Sequence, residues 1–307
     1  MTALSEDRPR QPTELPTLIF QALFSIVPTI PESTRDAVAR AAARLEYGLS
    51  RTRRDAVLSN LACIAEAGHP ALLDPRERDR IARSIFESYH RFLMEYFAQK
   101  ALDARALDER FRFRGMELLY RALSEGRGAV ICAPHLGNWE LAGLALARLG
   151  FLVHVVTGIQ FGDRFTRAVR AIKERQRILV STPRDGFTPL LQSLRRGGVV
   201  VLLTDGDVFG RSLTAEFFGR PIPIPAGPAL LTRRARAPLL HAHAERDRSG
   251  RHMISFDGIE CFDPSLRLDA DLRRITRRVA EAQERAIATH VGQWCIFRRV
   301  FEEADAA

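Results

Sequence analysis

The spacing of apolar positions changes character near residue 110. Before that point it is helical. Residues 15–30 form an uncharged run that includes Ile19, Phe20, Leu23, Phe24, Ile26 and Val27, short for a bilayer span and broken at Pro28. The run suits an interfacial helix or an ordinary core helix equally. Residues 32–67 are dense in Ala, Leu and Arg, which predicts one long helix stopped by Gly68. From Pro75 onward, Ile81, Ile85, Tyr89, Phe92, Leu93 and Phe97 recur at intervals of three and four, the stripe of an amphipathic helix.

After residue 110 strands and helices alternate. Strands are predicted at 111–115, 126–132, 151–156, 178–181, 199–203, 238–242 and 252–259. Helices are predicted at 116–123, 139–149, 163–175, 188–195, 227–235 and 269–290. Continuously apolar strands such as 199–203 belong in a sheet covered on both faces. The expected fold class is α/β: a mostly parallel mixed sheet flanked by helices through right-handed crossovers, with an N-terminal helical extension that associates with membrane. Residues 1–14 read as a disordered tail, 15–110 as the helical region, and 111–307 as the α/β core, continuous with the helices.

Two strand ends carry candidate chemistry. The first is Ala129-Val130-Ile131-Cys132-Ala133-Pro134-His135-Leu136-Gly137-Asn138-Trp139-Glu140. Pro134 and Gly137 suit a tight turn, and Asn138 is placed to cap the helix that follows. Positions five apart on one helix differ by about 500°, roughly 140° off a common face. His135 and Glu140 therefore meet only if the histidine lies outside the helix and folds back over its first turn. A carboxylate on an imidazole nitrogen fixes the tautomer and makes the other nitrogen a general base. The plainer reading is a helix-capping carboxylate beside an incidental histidine.

The second strand end delivers Thr204-Asp205-Gly206-Asp207, followed by Gly210-Arg211, then Glu216-Phe217-Phe218-Gly219, then a proline-rich run from Pro221 to Pro228 that includes Pro225. Asp205 and Asp207, two apart, suit a divalent cation, the orientation of an arginine, or a turn cap. A metal needs more convergent ligands than the sequence displays, so none is expected. Phe217 and Phe218 are read as pocket-lining or as core, and the prolines as a rigid extended wall. The two strand ends share one cleft if their strands are neighbours.

The chain has 307 residues with 46% apolar content, enough for a substantial core. Lys+Arg outnumber Asp+Glu by 46 to 37, and the only lysines are Lys100 and Lys173. Arginine forks suit anionic lipid, nucleic acid or an acidic carrier protein, although arginine is also a common default surface cation. No basic stripe with interleaved aromatics is present, so nucleic acid is not an expected partner. Cys63, Cys132, Cys261 and Cys295 form no CxxC pair and fit reduced thiols in a cytosolic compartment. No secretory signal precedes the first helix.

Taken in order, these motifs resemble those of the late lipid A biosynthesis acyltransferases of lauroyl and myristoyl type, a family that includes the mycobacterial phosphatidylinositol mannoside acyltransferase. The resemblance runs from about Leu15 to Phe301. His135 with Glu140 is similar to the family's H-x4-D/E signature, within APHLGNWELAG. Thr204–Asp207 with Gly210, Arg211 and Phe217–Gly219 is similar to a second block. Pro225–Ala229 matches a P-x-GPA segment, and Trp294 with Arg298-Arg299 a closing W-x-x-x-R-R segment. Asp205 stands where wider glycerolipid acyltransferases carry the Glu of E-G-T-R.

The resemblance implies a glycerolipid acyltransferase-like core at the cytoplasmic face of the inner membrane, peripheral or monotopic. It implies fatty acyl transfer from acyl carrier protein or coenzyme A to a hydroxyl of a glycolipid or phospholipid, with no cofactor. It makes His135 the general base and Glu140 its orienting acid. Asn138, Asp205, Asp207, Arg211, Phe217, Phe218, Gly219 and Pro225 are the expected substrate-binding residues. Backbone amides at 136–138, or Arg211, are candidate oxyanion donors. The competing readings are a lipid ester or thioester hydrolase using the same His/Glu pair, a basic nucleic-acid-binding protein, and a catalytically silent membrane scaffold.

Overall fold

The computed structural model describes residues 15–101, 104–158, 163–206 and 212–301. The tail expected at 1–14, together with Asp207, Gly210 and Arg211, lies outside the described residues. Helices open the chain: α1 (Leu15–Ile26), α2 (Glu32–Leu49), α3 (Arg51–Glu66), α4 (Pro75–Ala98) and α5 (Ala104–Arg110). Alternation follows as β1 (Phe111–Arg114), α6 (Met116–Ser124), β2 (Ala129–Ala133), α7 (Trp139–Arg148), β3 (Val153–Val156), α8 (Asp163–Arg175) and β4 (Ile178–Ser181). Then come α9 (Thr188–Arg195), β5 (Val199–Leu203), β6 (Ser212–Phe217), β7 (Arg220–Pro225), α10 (Gly227–Ala235), β8 (Leu239–Arg246), β9 (His252–Glu260) and α11 (Leu268–Thr289).

Seven strands form one sheet in the order β1-β9-β8-β2-β5-β3-β4. The β8–β9 pair is antiparallel, and the other pairings are parallel. Side chains of β2 alternate between faces, as the two-residue strand period requires. Ala129 and Ile131 join the core under α6 and α7, with Leu119, Leu141 and Leu144. Val130 and Cys132 join the core under α9, α10 and α11, with Leu194, Leu231 and Ile275. This two-sided burial is why β2 and β5 read as unbroken apolar runs rather than as alternation.

A third core packs the N-terminal helices against the sheet's carboxyl end. It gathers Tyr47, Leu61, Ile64 and Phe86 with Leu136, Phe217, Ile222, Trp294 and Phe301. The single helix expected over 32–67 is two helices broken at Ser50, whose ψ of 82° leaves the helical region. A straight 36-residue helix would be about 54 Å long and would leave the domain behind. The break lets Tyr47 of α2 meet Phe86 of α4 edge-to-face, with ring centroids 5.2 Å apart. It also lets α3 bury Val57, Leu61 and Ile64.

The proline-rich run is extended, as expected, but it is strand β7, paired antiparallel with β6. Pro221, Pro223 and Pro225 alternate along it, so the N–H groups that can pair belong to Ile222 and Ile224, opposite Ala215 and Leu213. β8 runs on past the expected end at residue 242 to Arg246. On α1, Phe20 and Phe24 pack against Tyr96 and Phe97, while Leu15, Leu18, Ile19 and Ile26 are exposed. Among the described residues no helix is long and apolar enough to cross a membrane.

Among the polar residues buried in the sheet, one has a clear pH consequence. His154 of β3 is buried, with Nδ1 2.6 Å from Ser193 Oγ and Nε2 2.9 Å from Ser181 Oγ. Burial lowers its pKa to about 4, against a raising influence from Asp185. Between about 4 and the unfolded histidine value near 6.5, the unfolded chain binds the proton first. Folding stability therefore rises with pH across that window and is fully present above it. Chemical denaturation at about pH 4.5 and about pH 7 should show this loss in the parent protein and a smaller one in His154→Gln.

Candidate active site

β2 and β5 are parallel neighbours, with Ala133 beside Leu203. The residues that leave the two strand ends therefore emerge side by side. His135 Nδ1 lies 2.7 Å from Asp205 Oδ1, and the His135 backbone N–H donates to Asp205 Oδ2 at 2.7 Å. Trp294 Nε1–H donates to the same Oδ2 at 2.8 Å. Asp205 is 1% exposed. Burial pushes its pKa up, but the facing His135, through charge and two hydrogen bonds, and the Trp294 N–H hold it below the usual carboxylate range. The carboxylate stays charged, so it fixes the Nδ1–H tautomer and leaves Nε2 as the proton acceptor.

The turn that carries His135 is locked from several sides. Gly137 has φ of 60°, and a Cβ there would overlap the Ala244 carbonyl of β8, so only glycine fits both the conformation and the space. Its N–H donates to Gln293 O at 3.1 Å, and Cys295 N–H donates to His135 O at 2.9 Å. Leu136 bridges to Trp294. The segment after α11 thus runs as a strap across the turn. Asn138 caps α7, accepting from Leu141 N–H at 3.1 Å, and its Nδ2 donates to Glu95 Oε2 at 2.7 Å. Burial pushes the Glu95 pKa up, but Arg246 and His252 hold it far below the ordinary range. Glu95 and Arg246 are partners that carried no sequence signal.

The pairing expected between His135 and Glu140 is replaced by His135–Asp205. Glu140 sits in the first turn of α7 and forms an ion pair with Lys173 of α8. The reason is geometric: the histidine faces the adjacent strand end, and Glu140 faces the helix that follows β3. Lys173 is buried, so this pair ties α8 to the start of α7. His135, Glu140 and Lys173 all line one cavity of about 610 Å³. Its walls are mainly apolar, with Phe20, Phe92, Phe97, Leu146, Val169 and Phe256 among them. Trp139 stacks on Phe92 at 4.2 Å and meets His135 edge-on at 5.0 Å.

The other expected substrate-binding residues are placed differently. Asn138 is 1% exposed and structural, and Asp205 holds His135 rather than facing the cavity. Phe217 packs in the core against Phe218, Trp294 and Phe301, and neither phenylalanine is on the cavity wall. Their spacing reads as pocket-lining because apolar loop residues look alike whether they face a ligand or a helix. Gly219 forms the turn between β6 and β7 at φ of 69°, and Pro225 ends β7, both away from the cavity. The Leu136 and Gly137 amides are engaged by Pro134 O and Gln293 O, which removes them as oxyanion donors. Arg298 does line the cavity beside Gly206, where a Cβ would overlap its guanidinium.

A carboxylate-held imidazole on the wall of a largely apolar cavity, at the carboxyl ends of a mostly parallel sheet, fits an enzyme that works on an apolar substrate. The sequence profile of the bacterial lipid A biosynthesis acyltransferases matches residues 7–303, and the chain belongs to that family of acyltransferases. It is 28% identical over 241 residues to a phosphatidylinositol mannoside acyltransferase of Mycobacterium tuberculosis, covering 76% of this chain and 73% of the relative. It is 27% identical over 279 residues to the phosphatidylinositol mannoside acyltransferase of Mycolicibacterium smegmatis, covering 90% and 88%.

The Glu140–Lys173 pair has a direct test. Glu140→Gln leaves a buried ammonium without its counter-charge and should destabilise the fold by about 3–5 kcal/mol. Adding Lys173→Met should recover most of that loss. Thermal and urea denaturation of the single and double variants measures both; equal stability of the single variant and the parent would contradict the pairing.

Proposed function

We propose that the protein transfers a fatty acyl group from an acyl thioester, carried by acyl carrier protein or coenzyme A, to a hydroxyl of a membrane glycolipid or phospholipid. The observation that carries this reading is His135, held by Asp205, on the wall of the 610 Å³ apolar cavity. A hydroxyl is a poor nucleophile at neutral pH and needs a positioned base. His135 Nε2 accepts the hydroxyl proton as the oxygen attacks the thioester carbonyl. The resulting tetrahedral oxyanion collapses, the carbon–sulfur bond breaks, and the imidazolium returns its proton to the departing thiolate. The thioester is already activated, so no serine or cysteine nucleophile is required.

The cavity volume falls within the range of ligand pockets, about 300–1,000 Å³. Burying an acyl chain in it gains about 0.8 kcal/mol per methylene. Arg298 is the cation on the cavity wall best suited to the oxyanion, since side-chain donors can serve where the Leu136 and Gly137 amides are engaged. Glu140, through Lys173, acts as a positioning residue for α7 rather than as the partner of the base.

The reading also places the protein peripherally on the cytoplasmic face of the inner membrane. Its support is the double-sided character of α1: Phe20 and Phe24 face inward, while Leu15, Leu18, Ile19 and Ile26 present an apolar face outward. Phe20 lies on the cavity wall, so a membrane-seated α1 brings the cavity to the lipid phase.

Purified protein incubated with acyl thioester, with and without lipid acceptor, should release thiol only when acceptor is present, and lipid mass spectrometry should identify the acylated product. Release at full rate without acceptor would favour hydrolysis instead. His135→Ala and Asp205→Asn should each lower kcat/KM by about 10²–10⁴-fold. The asparagine offers an N–H to Nδ1 and selects the wrong tautomer.

Vesicle flotation gives a separate reading of the surface. Leu18→Glu with Ile19→Glu should weaken binding to anionic vesicles at unchanged thermal stability, because both positions are exposed. Unchanged flotation would remove α1 from the membrane contact.

A further inference from the structure

A second constellation lies on β8, where His243 also forms part of the cavity wall. His243 and Glu245 are two residues apart on that strand, so the pleat turns both side chains the same way. His290 reaches them from the end of α11. One ligand atom from each of the three lies within 4.8 Å of the other two. His243 Nε2 is 3.4 Å from Glu245 Oε2, and His290 Nε2 is 3.9 Å from Glu245 Oε1. Nitrogen and oxygen ligands around a tetrahedral ion stand roughly 3.3–3.6 Å apart, so little closure is needed.

Two further observations point to a ligand. Glu245 is 7% exposed, yet its Oε2 has no hydrogen-bond partner. Leaving such a buried oxygen without a donor is costly, and a bound cation would satisfy it. His243 also has a carboxylate behind it: Asp257 Oδ2 lies 2.7 Å from Nδ1, close but not aligned as a hydrogen bond. Asp257 is the extra residue of a bulge, since Ala242 pairs with Phe256 and His241 with Gly258. Bulges re-aim side chains, and a carboxylate behind the imidazole is the usual backing of a metal-bound histidine. Arg114 adds positive charge nearby, which the second carboxylate offsets.

We propose that His243, Glu245 and His290 bind one divalent late transition-metal ion of the zinc type. Two imidazoles and one carboxylate select such an ion over magnesium or calcium, which prefer all-oxygen sites. The ion pins the end of α11 to β8. Gln293, Trp294 and Cys295 lie three to five residues after His290 and hold the His135 turn and Asp205, so the ion stabilises the strap.

The test reads metal binding rather than acyl transfer. Full-length protein freed of metal with a chelator is titrated with ZnCl2 against a chromophoric competitor, and with CoCl2 for its absorption spectrum. One equivalent of Zn²⁺ should bind and raise Tm, and Co²⁺ should give a spectrum of nitrogen and oxygen ligation without thiolate charge transfer. Glu245→Gln and His290→Asn should each abolish stoichiometric binding. Asp257→Asn removes no ligand and should weaken affinity about 10–100-fold, which keeps the test available if a ligand variant unfolds. No stoichiometric binding by the parent, binding undiminished in all three variants, or a thiolate signature would each overturn the proposal.

Discussion

The arrangement depends on one buried charge. Asp205 has lost its hydration, and three donors replace it: the His135 ring, the His135 backbone N–H and the Trp294 indole. The three donors come from two conditions of the fold. The ring and the amide require β2 and β5 to be in parallel register, and the indole requires the segment after α11 to lie across the turn. A carboxylate buried with so few alternatives tolerates little displacement of any of them. The cleft is therefore set by core packing, and the core that holds Trp294 is the one that seats α2, α3 and α4 against the sheet.

Much of the architecture was legible in the sequence, because period is a local property. The alternation from β1 onward, the cap at Asn138 and the strand ends, read at Cys132 where the strand runs one residue further to Ala133 and at Leu203, follow from spacing, turn residues and apolar runs. The break at Ser50 was not legible, since Ala, Leu and Arg favour helix on both sides of it and the bend answers to packing on α4. The β6–β7 hairpin was hidden by prolines that pair through the residues between them.

The site was half legible for the same reason. His135 and Asp205 both stand out at strand ends, but which carboxylate meets the histidine depends on strand order, which no local pattern encodes. Glu140 is five residues away along the chain and turned toward Lys173, whereas Asp205 is seventy residues away and one strand over. Phe217 and Phe218 show the converse case, in which a local pattern is read correctly as apolar and assigned to the wrong interior. Glu95, Arg246 and Gln293 act only through tertiary contact and had no pattern to betray them.

The strap has a consequence for how the protein comes into being. A chain growing from its amino end lays down β2, then β5, and so could bring histidine to aspartate well before the indole that completes the shield, 89 residues after Asp205, has been made. Until then the carboxylate is open to water and the turn around Gly137 lacks its clasp. The His135–Asp205–Trp294 arrangement is thus completed only late in synthesis, after the sheet and α11 are in place.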